Sequence, residues 1–539
     1  MQTQVIDSLT YYLPASVAEV LDLVTRALAQ NATVALRGSG HSFPLVAELE
    51  TALSSGRPCW HVMLSKLAAV AFDAATGQVT VQAGCHLGRD PYDPTGISTE
   101  ANSLCYQLDQ LGWALPDLGG ITHQTVGGFL ATGSAGGSTK FSFDEQLLAL
   151  SIVTAGAAGA ELVTFRRPAE DNPNDPFFAA GVSLGLFGVI VSATFQCVPR
   201  FAVYGTETTS LVASCAIDLF GNGVPSVPAL PSLAQYFRQT DYARLMWWPQ
   251  SGVEKMVVWE AHQQPVPVDF TPQPYEEVPW LKMPWDKEKN PAVFEFLANM
   301  VFSGIHDVPL WLKAVLPAAT YEQLMQAAGK DVLPALLNTF VTVNTSDNPP
   351  QQFHDLWHYG IPMDNQMDDR KMPVWFTELW IPLDEAAAVM QALHAHYQQG
   401  LVATGTFSCE IYAGKASRFW LSPAFGTDVV RIDVFWFARN DNSGRPDETF
   451  YPQFWALLAP FGFRPHWGKF LPRPDSAQGV KYLQARYAKF SAWLHLRAQL
   501  DPQQVFVSPY WRRHLGIADR DCPANALAAG AELMAQLPI

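Results

Sequence analysis

Charge is scarce in this sequence, and what there is leans acidic. Only 16% of the residues are charged, 34 Lys and Arg stand against 50 Asp and Glu, and no basic run could follow a phosphate backbone. Nucleic acid is therefore not an expected partner. The seven cysteines (Cys59, Cys85, Cys105, Cys197, Cys215, Cys409 and Cys522) form no CxxC pair and are odd in number, which argues against a disulfide framework. No metal site is expected either. The opening MQTQVIDSLTYYLPAS lacks the charged, apolar and small-residue succession of a secretory signal, so the cytoplasm is the expected location. One charge-free stretch, 177–195, has the length of a membrane span. Gly181, Gly185 and Gly188 interrupt it and it ends in the β-rich Val189–Phe195, so a buried helix, turn and strand is expected instead.

What the sequence does have is 48% hydrophobic residues, 37 Gly, 40 Pro and 12% aromatics, the composition of a loop-rich globular protein. At 539 residues, two domains are expected. Ser16 and Glu19 form a capping box before Val17, Val20, Leu21, Val24 and Leu28, which repeat at helical spacing. Thr33–Leu36, Val79–Gly84, Leu147–Thr154 and Ile190–Phe195 read as strands, giving an α+β unit over 1–200. From 201 the composition shifts to tryptophan and proline, with Trp247, Trp248, Trp259, Trp280 and Trp285. Strands Val374–Ile381 and Val429–Phe437, separated by the helix Leu383–Gln399, predict a second domain over 201–475, a large antiparallel sheet backed by helices. Residues 476–539 are expected to return to the first domain.

Two glycine turns carry the chemistry. Arg37-Gly38-Ser39-Gly40-His41-Ser42 follows a predicted strand directly, and the loop Leu118–Ser138 packs seven glycines into 21 residues. Without Cβ atoms, such backbones let N–H groups approach phosphate oxygens. Neither loop is a GxxxxGK[ST] motif or a GxGxxG opening a long helix, so neither a nucleotide triphosphatase nor a Rossmann site is indicated.

Together, RGSGHS, GGITHQTVGGFLATGSAGGS and SLGLFGVIVSATF resemble the FAD domain of the vanillyl-alcohol-oxidase superfamily, with its two-domain PCMH-type fold. The later RPHWGK and LSP look closest to the alditol and aldonolactone oxidoreductase branch. The resemblance implies FAD attached through an 8α-histidyl bond on His41. No cysteine lies between Gly119 and Ser138, so one covalent bond is expected rather than two. The cofactor residues carried over are Arg37, Gly38, Ser39, Gly40, Ser42, Gly119, Thr122, Gly127, Gly128, Thr132, Gly133, Ser134, Gly136, Gly137, Ser138, Val189, Ile190 and Lys469.

The resemblance places Lys469 near the flavin as a positive charge and matches Glu410 to the carboxylate of a Glu-x-Arg strand pair. Tyr412 stands where the arginine belongs, which leaves that ion pair without its usual partner. Asp433 stands where alditol-oxidising members have His and lactone-oxidising members Asn, and would accept the substrate proton if burial raised its pKa. Glu378, Trp247 and His466 complete the substrate candidates. The expected activity is oxidation of a CH–OH group in a polyol, sugar or hydroxylated metabolite, with O2 or another electron acceptor. The aromatic middle segment keeps two alternatives in view: a bulky, sterol-like alcohol or an amine as substrate, and a flavin-free binding protein on the same fold.

Overall fold

The first helix shows how local chemistry starts the chain. Ser16 Oγ accepts the Glu19 N–H at 3.2 Å while the Glu19 carboxylate accepts the Ala15 N–H at 2.8 Å. The helix Val17–Ala29 then buries Val20, Leu23, Val24 and Ala27 along one stripe. The computed structural model describes residues 1–42, 57–225, 229–277, 315–327, 333–367, 373–438 and 445–520. Trp280, Trp285 and Cys522 lie outside these.

Strands β1 (Gln2–Ile6), β2 (Leu9–Leu13), β3 (Thr33–Arg37) and β4 (Cys59–Met63) form a mixed sheet in the order β1-β2-β4-β3. A second, antiparallel sheet combines β5 (Val70–Asp73), β6 (Gln78–Gln82), β8 (Leu147–Gly156), β9 (Gly159–Arg166) and β10 (Val189–Gln196) in the order β5-β6-β10-β8-β9. A ribbon of β7 (Trp113–Ala114) and β11 (Val198–Pro199) sits beside it. The charge-free stretch resolves into the short helix Pro176–Ala180, a glycine turn and β10. Among the described residues no helix is long and apolar enough to cross a membrane.

An eight-stranded antiparallel sheet follows: β12 (Phe201–Leu211), β13 (Tyr242–Trp248), β14 (Lys255–Pro265), β15 (Gln351–Leu356), β16 (Val374–Pro382), β17 (Cys409–Gly414), β18 (Val429–Phe437) and β19 (Arg464–Pro465). Their order is β15-β12-β14-β13-β17-β18-β16-β19. Helices Leu233–Gln239, Ala386–Tyr397 and Tyr451–Leu458 back one face, closing a core around Leu245, Trp247, Ile411 and Ile432. The C-terminal part packs against the N-terminal part. Val34 N–H donates to the Val505 carbonyl at 2.8 Å, and Val505 and Phe506 join the core of the first helix.

This architecture corrects one substrate candidate. Trp247 is 1% exposed and packs among Phe220, His394 and Tyr397 on the helix-backed face, because successive strand residues point to opposite sides. Its neighbours Met246 and Trp248 take the other face. Trp259 is likewise covered, stacked on Phe353 at 5.3 Å. Trp247→Ala is expected to cost about 3–5 kcal/mol through the void it leaves. Calorimetry should show that loss, with the substrate KM of the surviving folded enzyme unchanged.

Candidate active site

The free face of the large sheet and the two glycine loops enclose a cavity of about 950 Å³. On the loop side, Arg37, Gly38, Ser39, Gly40, His41, Ser42, Gly119, Gly127, Gly128, Thr132, Ser134, Gly136 and Ile190 line it. Close packing explains two of the glycines. A Cβ on Gly38 would sit 2.7 Å from Thr125 Oγ1, and one on Gly136 only 2.1 Å from Asp117 Oδ1. Ser39 Oγ donates to the His123 carbonyl at 2.6 Å, tying the first loop to the second. Arg37 turns its guanidinium to Asp7 at 3.0 Å and to Tyr11 at 3.3 Å, leaving its backbone to the cavity.

Five expected cofactor contacts do not reach this space. Thr122 exchanges hydrogen bonds with Asn365 through both its backbone N–H and its hydroxyl. Gly133 lies against Val182 and Pro423, and Gly137 against Ala243 and Tyr412. The Ser138 hydroxyl accepts the Lys140 and Phe141 N–H groups. Val189 is fully buried beside Val153 and Val191. Thr122, Gly133 and Ser138 brace the loop on neighbouring turns, Gly137 packs on the large sheet, and Val189 belongs to the core of β10.

His41 lies with its ring centroid 5.7 Å from that of His123. Burial, then the neighbouring His123 and Lys469, push its pKa down to about 3, so the imidazole is neutral at physiological pH. Lys469 Nζ lies 3.5 Å from the His41 carbonyl oxygen and 4.0 Å from the centre of the Phe376 ring. His466 positions this lysine: its carbonyl accepts the Lys469 N–H at 3.1 Å, and its own N–H donates to the Glu378 carbonyl at 2.9 Å. Both ring nitrogens of His466 are engaged within the protein, with Ser134 Oγ at 3.2 Å and the Gly468 N–H at 3.0 Å.

Strand register builds the opposite wall. Met246, Glu410, Asp433 and Glu378 face one another across β13, β17, β18 and β16, forming one row. Two residues along, Arg244, Tyr412, Arg431 and Trp380 form the next row. Three carboxyls thus lie beside two guanidiniums, and all five groups are buried.

The pairing is unequal. Arg431 gives both Nε and an Nη to Glu378 Oε1, at 2.8 and 2.7 Å, and donates to the Ala135 and Gly136 carbonyls. Its guanidinium is also sandwiched between the rings of Trp380 and Tyr412. Arg244 binds Asp364 and Glu207, and its Nε lies 3.8 Å from Glu410. Tyr412 donates to Asp364 at 3.1 Å. Burial works to raise the Glu378 pKa, and Arg431 overrides it, holding the group below its ordinary value. Burial and then Asp364 raise Glu410 to about 8 against the pull of Arg244. Asp433 is driven well above its ordinary value by burial and Glu378, and its Oδ1 makes no hydrogen bond among the described residues.

Arg244, Arg431, Asp364 and Glu207 are cavity residues that sequence reasoning missed. Arg431 carried a readable signal, standing two residues before Asp433 in a period-two strand. Arg244 occupies the place beside Glu410 that the expected Glu-x-Arg arginine would have filled, but from the neighbouring strand.

An FAD-dependent oxidoreductase agrees with similarity to known proteins. The sequence model of the D-arabinono-1,4-lactone oxidase family matches residues 193–514. L-gulonolactone oxidase of Mus musculus is 24% identical over 506 residues, 93% of each chain. L-gulono-1,4-lactone dehydrogenase of Mycobacterium tuberculosis is 23% identical over 504 residues, 93% of this chain and 95% of the relative. Cholesterol oxidase from Brevibacterium sterolicum shares the fold at a TM-score of 0.64 and 14% identity, covering 94% of both chains. With its cavity walled by two glycine loops and a large antiparallel sheet, the chain belongs to the D-arabinono-1,4-lactone oxidase family of FAD-dependent oxidoreductases.

Proposed function

We propose that this protein oxidises a CH–OH group of a polyol or sugar-derived lactone, with FAD attached covalently through His41. The observation that carries the reading is the meeting of the His41–Lys469 contact and the row Glu410, Asp433, Glu378 in one cavity. Relatives named for gulonolactone and arabinonolactone support a lactone. Some are named oxidase and others dehydrogenase, so O2 or another acceptor takes the electrons. In this reading residues 1–200 hold the cofactor, 201–475 hold the substrate, and 476–539 return to the cofactor side. The buried Cys85, Cys105, Cys197, Cys215 and Cys409 form no disulfide among the described residues, which suits a reducing compartment.

Bound FAD would supply the hydride acceptor for the substrate carbon. The neutral imidazole of His41 would carry it through a ring nitrogen, and the glycine loops would give it backbone contacts. Lys469 supplies positive charge where negative charge accumulates during reduction. Glu410 takes the hydroxyl proton. The sequence pointed to Asp433 for that task, but directly opposed carboxyls resist double ionisation, and the nearer guanidinium favours ionising Glu410 first. Asp433 then remains protonated and donates a hydrogen bond to substrate oxygen. Glu378 and Arg431 brace the row, and Tyr412 fixes Asp364.

His41→Ala should yield protein whose flavin is lost on acid precipitation, where the wild type stays yellow. Retention of denaturation-resistant flavin would remove His41 from its role. Glu410 faces Asp364, Arg244, Tyr412, Arg431 and Asp433, and its protonated form gives no base. Flavin reduction should therefore rise with pH and level off above about 8. The folded state also keeps this proton where the unfolded chain has lost it, so stability falls as pH rises from about 4.5 to 8. Glu410→Gln should flatten the rate profile, lessen the stability slope, and slow reduction by roughly 10²–10⁴. Stopped-flow reduction and thermal melts across pH check the pair.

A further inference from the structure

Beyond the carboxyl row lies a third, different row. Phe376 and Phe435 are register partners on β16 and β18, with ring centroids 5.1 Å apart. Phe435 meets Phe407 at 5.7 Å, and Phe407 meets Trp248 at 5.6 Å. These four rings form a continuous aromatic wall across the sheet, perpendicular to the strands, and all four line the cavity. With strands about 4.8 Å apart, the wall runs roughly 14 Å from β16 to β13. One end is at Lys469, which touches both Phe376 and the His41 carbonyl. Among the described residues, Met246, Val257 and Leu337 line the cavity near the far end.

An unsubstituted pentono- or hexonolactone can stack its C–H face on one or two of these rings, but it is far shorter than a wall of roughly 14 Å. Rings of the hydrophobic core on the opposite face are closed off, Trp247 at 1% exposure, whereas Trp248, Phe376, Phe407 and Phe435 are only half-buried at the cavity edge. Half-buried aromatics beside buried polar groups are the lining of a site that orients one polar end and covers one apolar body.

We propose that the substrate is amphiphilic: its hydroxylated end lies on the Glu410–Asp433–Glu378 row, and an attached apolar group lies along the wall from Phe376 to Trp248. This rests on the CH–OH oxidation proposed above and narrows its substrate class. The apolar group supplies affinity and holds the reacting carbon in place, so it raises kcat/KM rather than merely being tolerated.

The test is anaerobic flavin reduction of the holoenzyme by pentono- and hexonolactones and by the same lactones carrying butyl or octyl ethers on the primary hydroxyl, all below micelle-forming concentrations. Each buried methylene is worth up to about fourfold. The octyl ether should exceed the parent lactone at least tenfold in kcat/KM, with the butyl ether between them. Phe435→Ala should compress that ratio towards one. Trp248→Gln, at the half-buried far end of the wall, should do the same and serves if Phe435→Ala does not fold. Equal reduction by ethers and parents, or a ratio unmoved in Trp248→Gln, overturns the amphiphilic substrate and leaves lactone oxidation standing. If no member of either series bleaches the flavin, the lactone reading fails and this inference fails with it.

Discussion

The site depends on the register between β13, β17, β18 and β16. Antiparallel pairing brings directly opposite residues within about 5 Å and points them to the same side. Glu410, Asp433 and Glu378 are therefore forced into one row, with Arg244, Tyr412 and Arg431 in the next. A slip of one residue in any of these strands would send its charged group into the helix-backed core and bring an apolar side chain to the cavity. The apolar core on the other face, from Leu245 to Ile432, makes that slip prohibitive. Packing on one side of the sheet thus fixes the chemistry on the other.

Burying three carboxyls beside two guanidiniums is expensive unless charges are paired or lost. The structure uses both routes. Arg431 is committed to Glu378 and to two loop carbonyls, and Arg244 divides itself among Asp364, Glu207 and Glu410. Asp433 receives the least compensation and so keeps its proton. The same Arg431 hydrogen bonds fasten the second glycine loop to the sheet, so the electrostatics of the substrate wall and the placement of the cofactor loop are one construction.

Most of the architecture was legible in the sequence because its signals are local. Alternation marked β16 and β18, the capping box marked the first helix, and glycine density marked the loops. His41, Lys469, Glu410, Asp433 and Glu378 all face the cavity. Long-range pairing was not legible. Arg244 stands beside Glu410 only through strand order, which no motif encodes. The apolar run around Trp247 and Trp248 gives no sign of which tryptophan faces which side. The loop residues Thr122, Gly133, Gly137 and Ser138 and the strand residue Val189 look like cofactor contacts by their motif, yet pack against other protein groups, a distinction that depends on what the fold brings against them.

The claim at the centre of this account is that one carboxyl of the opposed pair is ionisable near neutrality while the other stays protonated. Infrared difference spectroscopy of the wild type against Asp433→Asn and Glu410→Gln reads this directly through the carbonyl stretch of a protonated carboxyl. The account predicts that the Asp433 band is present at neutral pH and outlasts the Glu410 band, which fades around 8. Absence of a protonated-carboxyl band for Asp433 at neutral pH would contradict it.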